Sequence, residues 1–230
     1  MNSISNEQYL SLRQNAELIE ADHCGEKVLK LADGSFLKLF RRKRLITSEL
    51  YRPYARRFAL NAKRLAKLQI PCPTIITTYS IPSIERTAVH YWPLPGTTLR
   101  YEFQNIDGEL QDALCTMLGA FIARIHDSGV YFRSLHLGNI VQTPEGQLGL
   151  IDIADMQVLR GPIGSLRRKR NFLHLFRYSN DIQKLALHSD AFINAYCKDL
   201  NTRQRNSLSE FLQNLFTRAS QLRAGQEQIS

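Results

Sequence analysis

Only four cysteines occur in this 230-residue chain, at positions 24, 72, 115 and 197, and no two form a CxxC pair. Zinc ligation and disulfide frameworks need thiols that can be brought together, so neither is expected, and a reducing cytoplasm is the simplest setting. No apolar run approaches the roughly 18 residues that a membrane-crossing helix requires. The opening MNSISNEQYLSLRQ lacks the basic-then-apolar order of a secretory signal. There is no internal repeat, low-complexity tract or obvious linker. With 43% hydrophobic and 22% charged residues, the composition is that of an ordinary globular protein.

Acidic residues are the scarcer charged class: 21 Asp and Glu stand against 30 Lys and Arg, for a net charge of +9. The excess is concentrated at Arg41–Arg44 and Arg167–Arg170. Such clusters suit phosphate-bearing partners: a nucleotide, a nucleic acid or an anionic membrane surface. Each is equally readable as a solvated face without a ligand. Aromatic residues are not interleaved with the basic ones as a base-stacking platform needs, so nucleic acid is not expected.

Residues 7–17 read as a short helix and Leu18–Ala21 as a strand, with Cys24-Gly25 as its turn. KVLKLADGSFLKLF reads as two alternating strands joined at Asp33-Gly34. YARRFALNAKRLAKL (54–68) has helical apolar spacing and stops before Pro71 and Pro73. Ile75–Tyr79 and Thr87–Tyr91 read as strands, and WPLPGTTL as a turn-rich crossing. Leu110–His126 is a long amphipathic helix with Gly129 as its stop. Short apolar segments follow at Asn139–Gln142 and Leu148–Ile153 around the turn Pro144-Glu145-Gly146. From Leu173 the chain reads as helical. The expected fold is α+β, with a β-rich lobe over residues 1–93 and a helical lobe over 94–230.

Three polar residues stand at intervals that suit phosphoryl transfer. That reaction asks for a cation on the phosphates, oxygen ligands for magnesium, and a positioned acceptor. Lys38 lies on the second hairpin strand, sharing a face with Phe36 and Phe40. Asn139 and Asp152 flank a turn 13 residues apart, as two hard oxygen ligands for Mg²⁺ would. Taken singly, each has an ordinary alternative: a solvated lysine, a turn asparagine, a helix-capping aspartate.

The stretches HDSGVYFRSLHLGNIV and LGLIDIAD resemble the catalytic and metal loops of the protein-kinase-like superfamily. The phrases GSFLKLFRRKR, RFALNAKRLAKLQIPCP and YFRSLHLGNIV are similar to the bacterial lipopolysaccharide (Kdo/heptose) kinase family, and within it to members labelled toluene tolerance proteins. The resemblance covers roughly residues 10–180 and implies a bilobal kinase-like fold. It implies ATP and Mg²⁺ as cofactors, with Lys38 on the α/β-phosphates, Asn139 and Asp152 on the metal, and Tyr91, Trp92 and Leu94 beside adenine. His136 would lie near the transferred phosphate, an alternative to a structural loop histidine. The implied acceptor is a sugar hydroxyl of lipopolysaccharide core or a related anionic envelope glycolipid, reached by a cytoplasmic protein in peripheral contact with the inner membrane.

Three departures from that family's pattern open a second reading. Ser134 occupies the place of the catalytic aspartate, and serine is no base near neutral pH without help; Asp155 or His136 are the possible substitutes. The carboxylate that would pair with Lys38 is missing from residues 54–68, leaving Glu49, which also reads as a solvated surface residue. Gly25 is the sole glycine between the first strands, where a full glycine-rich loop would cradle phosphates with several N–H groups. An inactive pseudokinase that binds nucleotide as a sensor or scaffold in envelope or solvent stress is the alternative.

Overall fold

A computed structural model describes residues 1–23, 25–41 and 53–227, with residues 222–227 described by backbone alone. The chain is mixed α/β and falls into two compact units. The first comprises Met1–Pro95 together with Gly149–Asp155, and the second Gly96–Leu148 with Met156–Ser230. The segment carrying Asp152 therefore belongs to the strand-rich unit. Glu49 and Arg42–Arg44 lie outside the described residues.

In the first unit, β1 (Asn2–Ser3) precedes α1 (Asn6–Leu12). Ser5 and Gln8 cap that helix reciprocally, each side chain accepting from the other's backbone N–H. The helix is shorter than the sequence predicts: Asn15 takes a left-handed φ of 59° and β2 (Glu17–Asp22) begins two residues later. Then come β3 (Gly25–Lys30), β4 (Phe36–Arg41), α2 (Tyr54–Lys67), β5 (Thr74–Ile81) and β6 (Arg86–Trp92). The sheet order is β1-β5-β6-β4-β3-β2, with β1 parallel to β5 and the other pairs antiparallel.

The predicted hairpin forms as expected. Leu31 N–H donates to Ser35 O at 2.7 Å, and Asp33 Oδ1 accepts from both the Ser35 N–H (2.9 Å) and hydroxyl (2.5 Å). Because Ser35 gives its proton to Asp33, His90 Nε2, 2.7 Å away, donates to the serine oxygen. This Ser–His–Asp trio is a turn lock rather than a hydrolytic triad: Ser35 is fully buried and the aspartate engages the serine, not the histidine.

Alternation along β4 separates two environments. Leu37 and Leu39 pack with Leu29, Leu31, Ile81, Ala88 and Tyr9 of α1. Phe36, Lys38 and Phe40 take the opposite face, where Phe40 and Tyr91 lie 6.5 and 5.3 Å from the Phe58 ring of α2. Lys38 thus projects between Phe40, which packs on α2, and Phe36, which packs on Tyr91 of β6. Phe58 is essentially buried, and its truncation to alanine costs about 3–5 kcal/mol on the usual scale for core aromatics.

The second unit begins with β7 (Thr97–Thr98) and α3 (Leu99–Asn105), a helix absent from the sequence reading and N-capped by Thr98. It continues through α4 (Glu109–Asp127), β8 (Val130–Phe132) and β9 (Ile140–Gln142). The chain passes through β10 (Leu148–Leu150) back to the first unit before β11 (Met156–Val158). The helices α5 (Ser165–Leu175), α6 (Ser179–Ala186), α7 (Ser189–Cys197) and α8 (Thr202–Glu227) complete it. The helical region starts eight residues earlier than Leu173, since Gly164 supplies the extended N-cap at φ −70°, ψ 163°.

β8 pairs with β11, and β7 with β9. Gly129, the predicted stop of α4, has φ 81° and lies against Leu159 and Gly161, where a Cβ would approach two carbonyl oxygens to 2.6 Å. Gly119 lets α4 meet α7 closely: a Cβ there would stand 2.4 Å from Phe192 O.

One basic cluster requires correction. Arg168 is not on a surface patch; it is 2% exposed. It donates to Ile163 O (2.9 Å), Tyr196 Oη (3.2 Å) and Asp127 Oδ1 (2.5 Å). On α5 the inward positions are 168, 171, 172 and 175, so one member of the RRKR run must turn into the core. Lys169 lies over the Phe211 ring, and Arg167 and Arg170 remain exposed.

Candidate phosphate and metal site

Lys38 Nζ lies 2.6 Å from Asp152 Oδ1, a contact spanning 114 residues of sequence. The lysine side chain is 13% exposed and the aspartate 43%, so the pair opens to solvent on the carboxylate side. Lys38 is placed by the β4 register, opposite Val28 on β3 and Val89 on β6.

Asp152 is held in an unusual backbone state, with φ at +53°. For a non-glycine residue that conformation costs on the order of 1–2 kcal/mol. Its neighbours enforce it. Leu150 N–H donates to Pro71 O at 2.9 Å, and Asn61 of α2, buried, donates its amide to Ile153 O at 2.8 Å. A strained residue pinned on both sides, presenting a partly exposed carboxylate to a lysine, is the kind of site at which strain persists for function.

Asp152 sits in a turn rather than at a strand end, because β10 stops at Leu150 and residues 153–155 form a single 3₁₀ turn. Asp155 closes that turn, half-buried.

The other residues predicted for this site are distributed as follows. Gly25 opens β3 with φ 105°, at the end of the β2–β3 turn. Tyr91 is a core ring: burial, and next the Asp152 charge, push its phenol well above the ordinary range. Any adenine contact at that position is therefore left to backbone groups. Trp92 is exposed and Leu94 half-buried. The described α2 residues include no Asp or Glu, so helix α2 supplies no carboxylate to Lys38; among the described residues its carboxylate contact is Asp152.

In the second unit, Ser134, His136 and Asn139 share one loop. Asn139, 9% exposed, lies in a 3₁₀ turn before β9, not on the strand, and its amide donates to Ser134 O at 2.8 Å. With the NH₂ so engaged, the amide oxygen is the end left for a cation. His136 caps the same turn: its Nδ1 accepts from Gly138 N–H at 3.1 Å, and its ring meets Tyr178 edge-on at 5.2 Å. An accepting Nδ1 assigns the neutral ring's proton to Nε2.

Beside this loop lies a cleft of ≈ 270 Å³, lined by Arg100, Phe103, Leu137, Tyr178, Asp181 and Lys184 among others. Arg100 forms a bidentate pair with the buried Asp181 (2.9 and 2.7 Å) and lies over the Tyr178 ring at 4.7 Å. Lys184 donates to Phe103 O at 2.9 Å. Sequence reasoning did not find this cleft; its signal is spread over positions 100 to 184, which only folding gathers.

Among the described residues no group of three or more His, Cys, Asp or Glu could hold a metal by itself. Asp152 in the first unit and Asn139 in the second each offer a hard oxygen atom of the kind magnesium takes. Among the described residues no helix is long and apolar enough to cross a membrane. Scanned against profiles of known protein families, the chain matches none, and no curated protein matches it significantly.

Proposed function

We propose that the chain is a kinase-like, ATP-dependent phosphotransferase of bilobal fold whose acceptor is a sugar hydroxyl of lipopolysaccharide core or a related envelope glycolipid. The observation that carries this reading is the Lys38–Asp152 contact, 2.6 Å across 114 residues, with the aspartate pinned at φ +53°. A strand lysine and a turn aspartate in contact are the cation and carboxylate that a nucleotide's phosphates and metal require. Mg-ATP, when bound, supplies the phosphoryl group and the metal charge that spreads over the phosphates. Lys38 would donate to phosphate oxygens, and Asp152 and the Asn139 amide oxygen would be the residues to hold the metal.

In the transfer, the bond from the γ-phosphorus to its bridging oxygen breaks, its electron pair leaves with ADP, and the acceptor oxygen forms the new bond to phosphorus. The acceptor's hydroxyl proton must also go. Ser134 cannot accept it near neutral pH. His136, with its proton on Nε2 and Nδ1 occupied by Gly138, is set to donate to phosphate rather than to act as base. Asp155, the remaining carboxylate of the motif, would take that proton. A loose transition state tolerates a weak base, so the expected outcome is slow transfer rather than none. The cleft beside the loop, with the Tyr178 ring and amide and charged side chains around it, has the mixed lining that sugars use.

The second reading, a pseudokinase that binds nucleotide as sensor or scaffold, draws on Ser134 itself. Two measurements separate the readings. Mg-ATP should raise the melting temperature of the wild-type protein, and Asp152→Asn should weaken that binding at least about tenfold, a loss on the order of 1.4 kcal/mol; unchanged binding would overturn the metal assignment. Phosphate incorporation from ATP into purified core glycolipid, accelerated by Ser134→Asp, supports the enzyme. Binding without incorporation in either protein supports the pseudokinase.

A further inference from the structure

From Met156 to Asn180 the chain contains no Asp or Glu but carries Arg160, Arg167, Arg168, Lys169, Arg170 and Arg177. Helix α5 sorts this stretch. Its inward face holds Arg168, Asn171, Phe172 and Leu175. At about 100° per residue, Leu166, Arg170 and Leu173 fall on the opposite face, and Arg177 continues the same stripe just past the helix end. Leu166 is 82% exposed and Leu173 53%, so two leucines stand in water where burial inward was open to other positions of the same helix.

The charges around them are free of acids. Arg168 takes Asp127 in the interior, and Lys169 lies over Phe211. Among the described residues the exposed side chains of Arg167 and Arg170 have no hydrogen-bond or ion-pair partner. Arg177, also exposed, reaches back to Arg133 O at 3.0 Å and to the His174 ring. A helix face that alternates exposed leucine with unpaired arginine suits a surface that is apolar beneath a negatively charged layer.

We propose that the outer face of α5 docks this protein on the anionic surface of a lipid bilayer, with Leu166 and Leu173 entering the headgroup layer and Arg167, Arg170 and Arg177 meeting lipid phosphates. The inference stands independently of the phosphotransferase reading, because none of these residues belongs to the nucleotide or acceptor positions. One short face with two leucines and a few arginines gives weak, reversible and salt-sensitive attachment, not insertion.

The test is cosedimentation of the full chain with phosphatidylglycerol/phosphatidylcholine vesicles and with phosphatidylcholine alone, at low and raised salt. The wild-type protein should bind the anionic vesicles and not the neutral ones. Arg167→Glu/Arg170→Glu should lower the partition at least about tenfold, and Leu166→Ser/Leu173→Ser should lower it while leaving net charge unchanged. The control, Arg56→Glu/Lys63→Glu, makes the same charge change at exposed positions of α2 and should have little effect. Equal loss in the control would show that total charge, not this face, governs binding and would overturn the proposal. So would equal binding to neutral vesicles, no binding at all, or a wild-type dimer that Leu166→Ser/Leu173→Ser disperses, which would make the face a contact between two copies.

Discussion

Lys38 and Arg168 are both largely removed from water and each faces a partly exposed aspartate, yet they differ in the number of acceptors around the cation and in the backbone beneath the carboxylate. Among the described residues the Lys38 side chain has one carboxylate contact, and that carboxylate is 43% exposed on a strained turn. Arg168 has three acceptors, and the groups around it are themselves satisfied. Tyr196 Oη meets His126 Nδ1 at 3.0 Å, and Asn171 joins His126 Nε2 (3.1 Å) to the Phe132 carbonyl (2.6 Å). A closed polar network of this kind rigidifies a core, because opening any link strands a buried group. Both carboxylates are open to solvent on one side, so the distinction lies in the cation's further acceptors and in the strained backbone under Asp152. The contrast separates a charge used to hold the fold from a charge held ready for a ligand.

Of the changes that probe this contrast, Arg168→Met should have the largest effect on stability, about 3 kcal/mol, since Tyr196 and the Ile163 carbonyl lose a donor inside the core. Urea unfolding checks it; a change below about 1 kcal/mol would put the two charges in the same class.

The next effect is pH-dependent. Burial, and then the Arg168 charge, hold His126 far below its ordinary pKa of 6.5, at about 3. Below pH 6.5 the unfolded chain binds a proton that the folded one refuses, so this contribution to stability is complete above that pH and lost as pH falls toward 3. At pH 5 the loss is about 2 kcal/mol. Denaturant midpoints at pH 7 and pH 5 should show it, and His126→Phe should flatten the slope. A wild-type slope that survives this substitution assigns the effect to another group.

The smallest effect belongs to the partly exposed pair. A double-mutant cycle of Lys38→Met and Asp152→Asn should give a stability coupling under about 1 kcal/mol, while both single variants impair Mg-ATP binding. A coupling of several kcal/mol would make the pair structural and dissolve the contrast.

Local rules made much of the first unit legible. The Asp33-Gly34 hairpin, the helix before Pro71 and the strand face of Lys38 follow from alternation, turn chemistry and helical spacing, all short-range properties. α1 ended early at a left-handed Asn15, and α3 went unseen because tertiary context settles helices this short. Of the candidate site, residue types and order were readable, whereas the partner of Lys38 was not. Glu49, the carboxylate expected beside Lys38, lies outside the described residues; the contact with Asp152 was not legible because its approach depends on the Leu150–Pro71 and Asn61–Ile153 bonds.

By itself the sequence determined the local units: which segments alternate, where turns fall, and that a lysine, an asparagine and an aspartate recur at spacings suited to phosphate and metal. Tertiary structure alone decided which charges meet. It turned one arginine of a basic run into the core and left its neighbours to solvent, and it brought Lys38 to Asp152 across 114 residues. The physical reason is range. Propensity and periodicity act over a few residues, while the burial and pairing of a charge depend on groups brought close only when the whole chain packs.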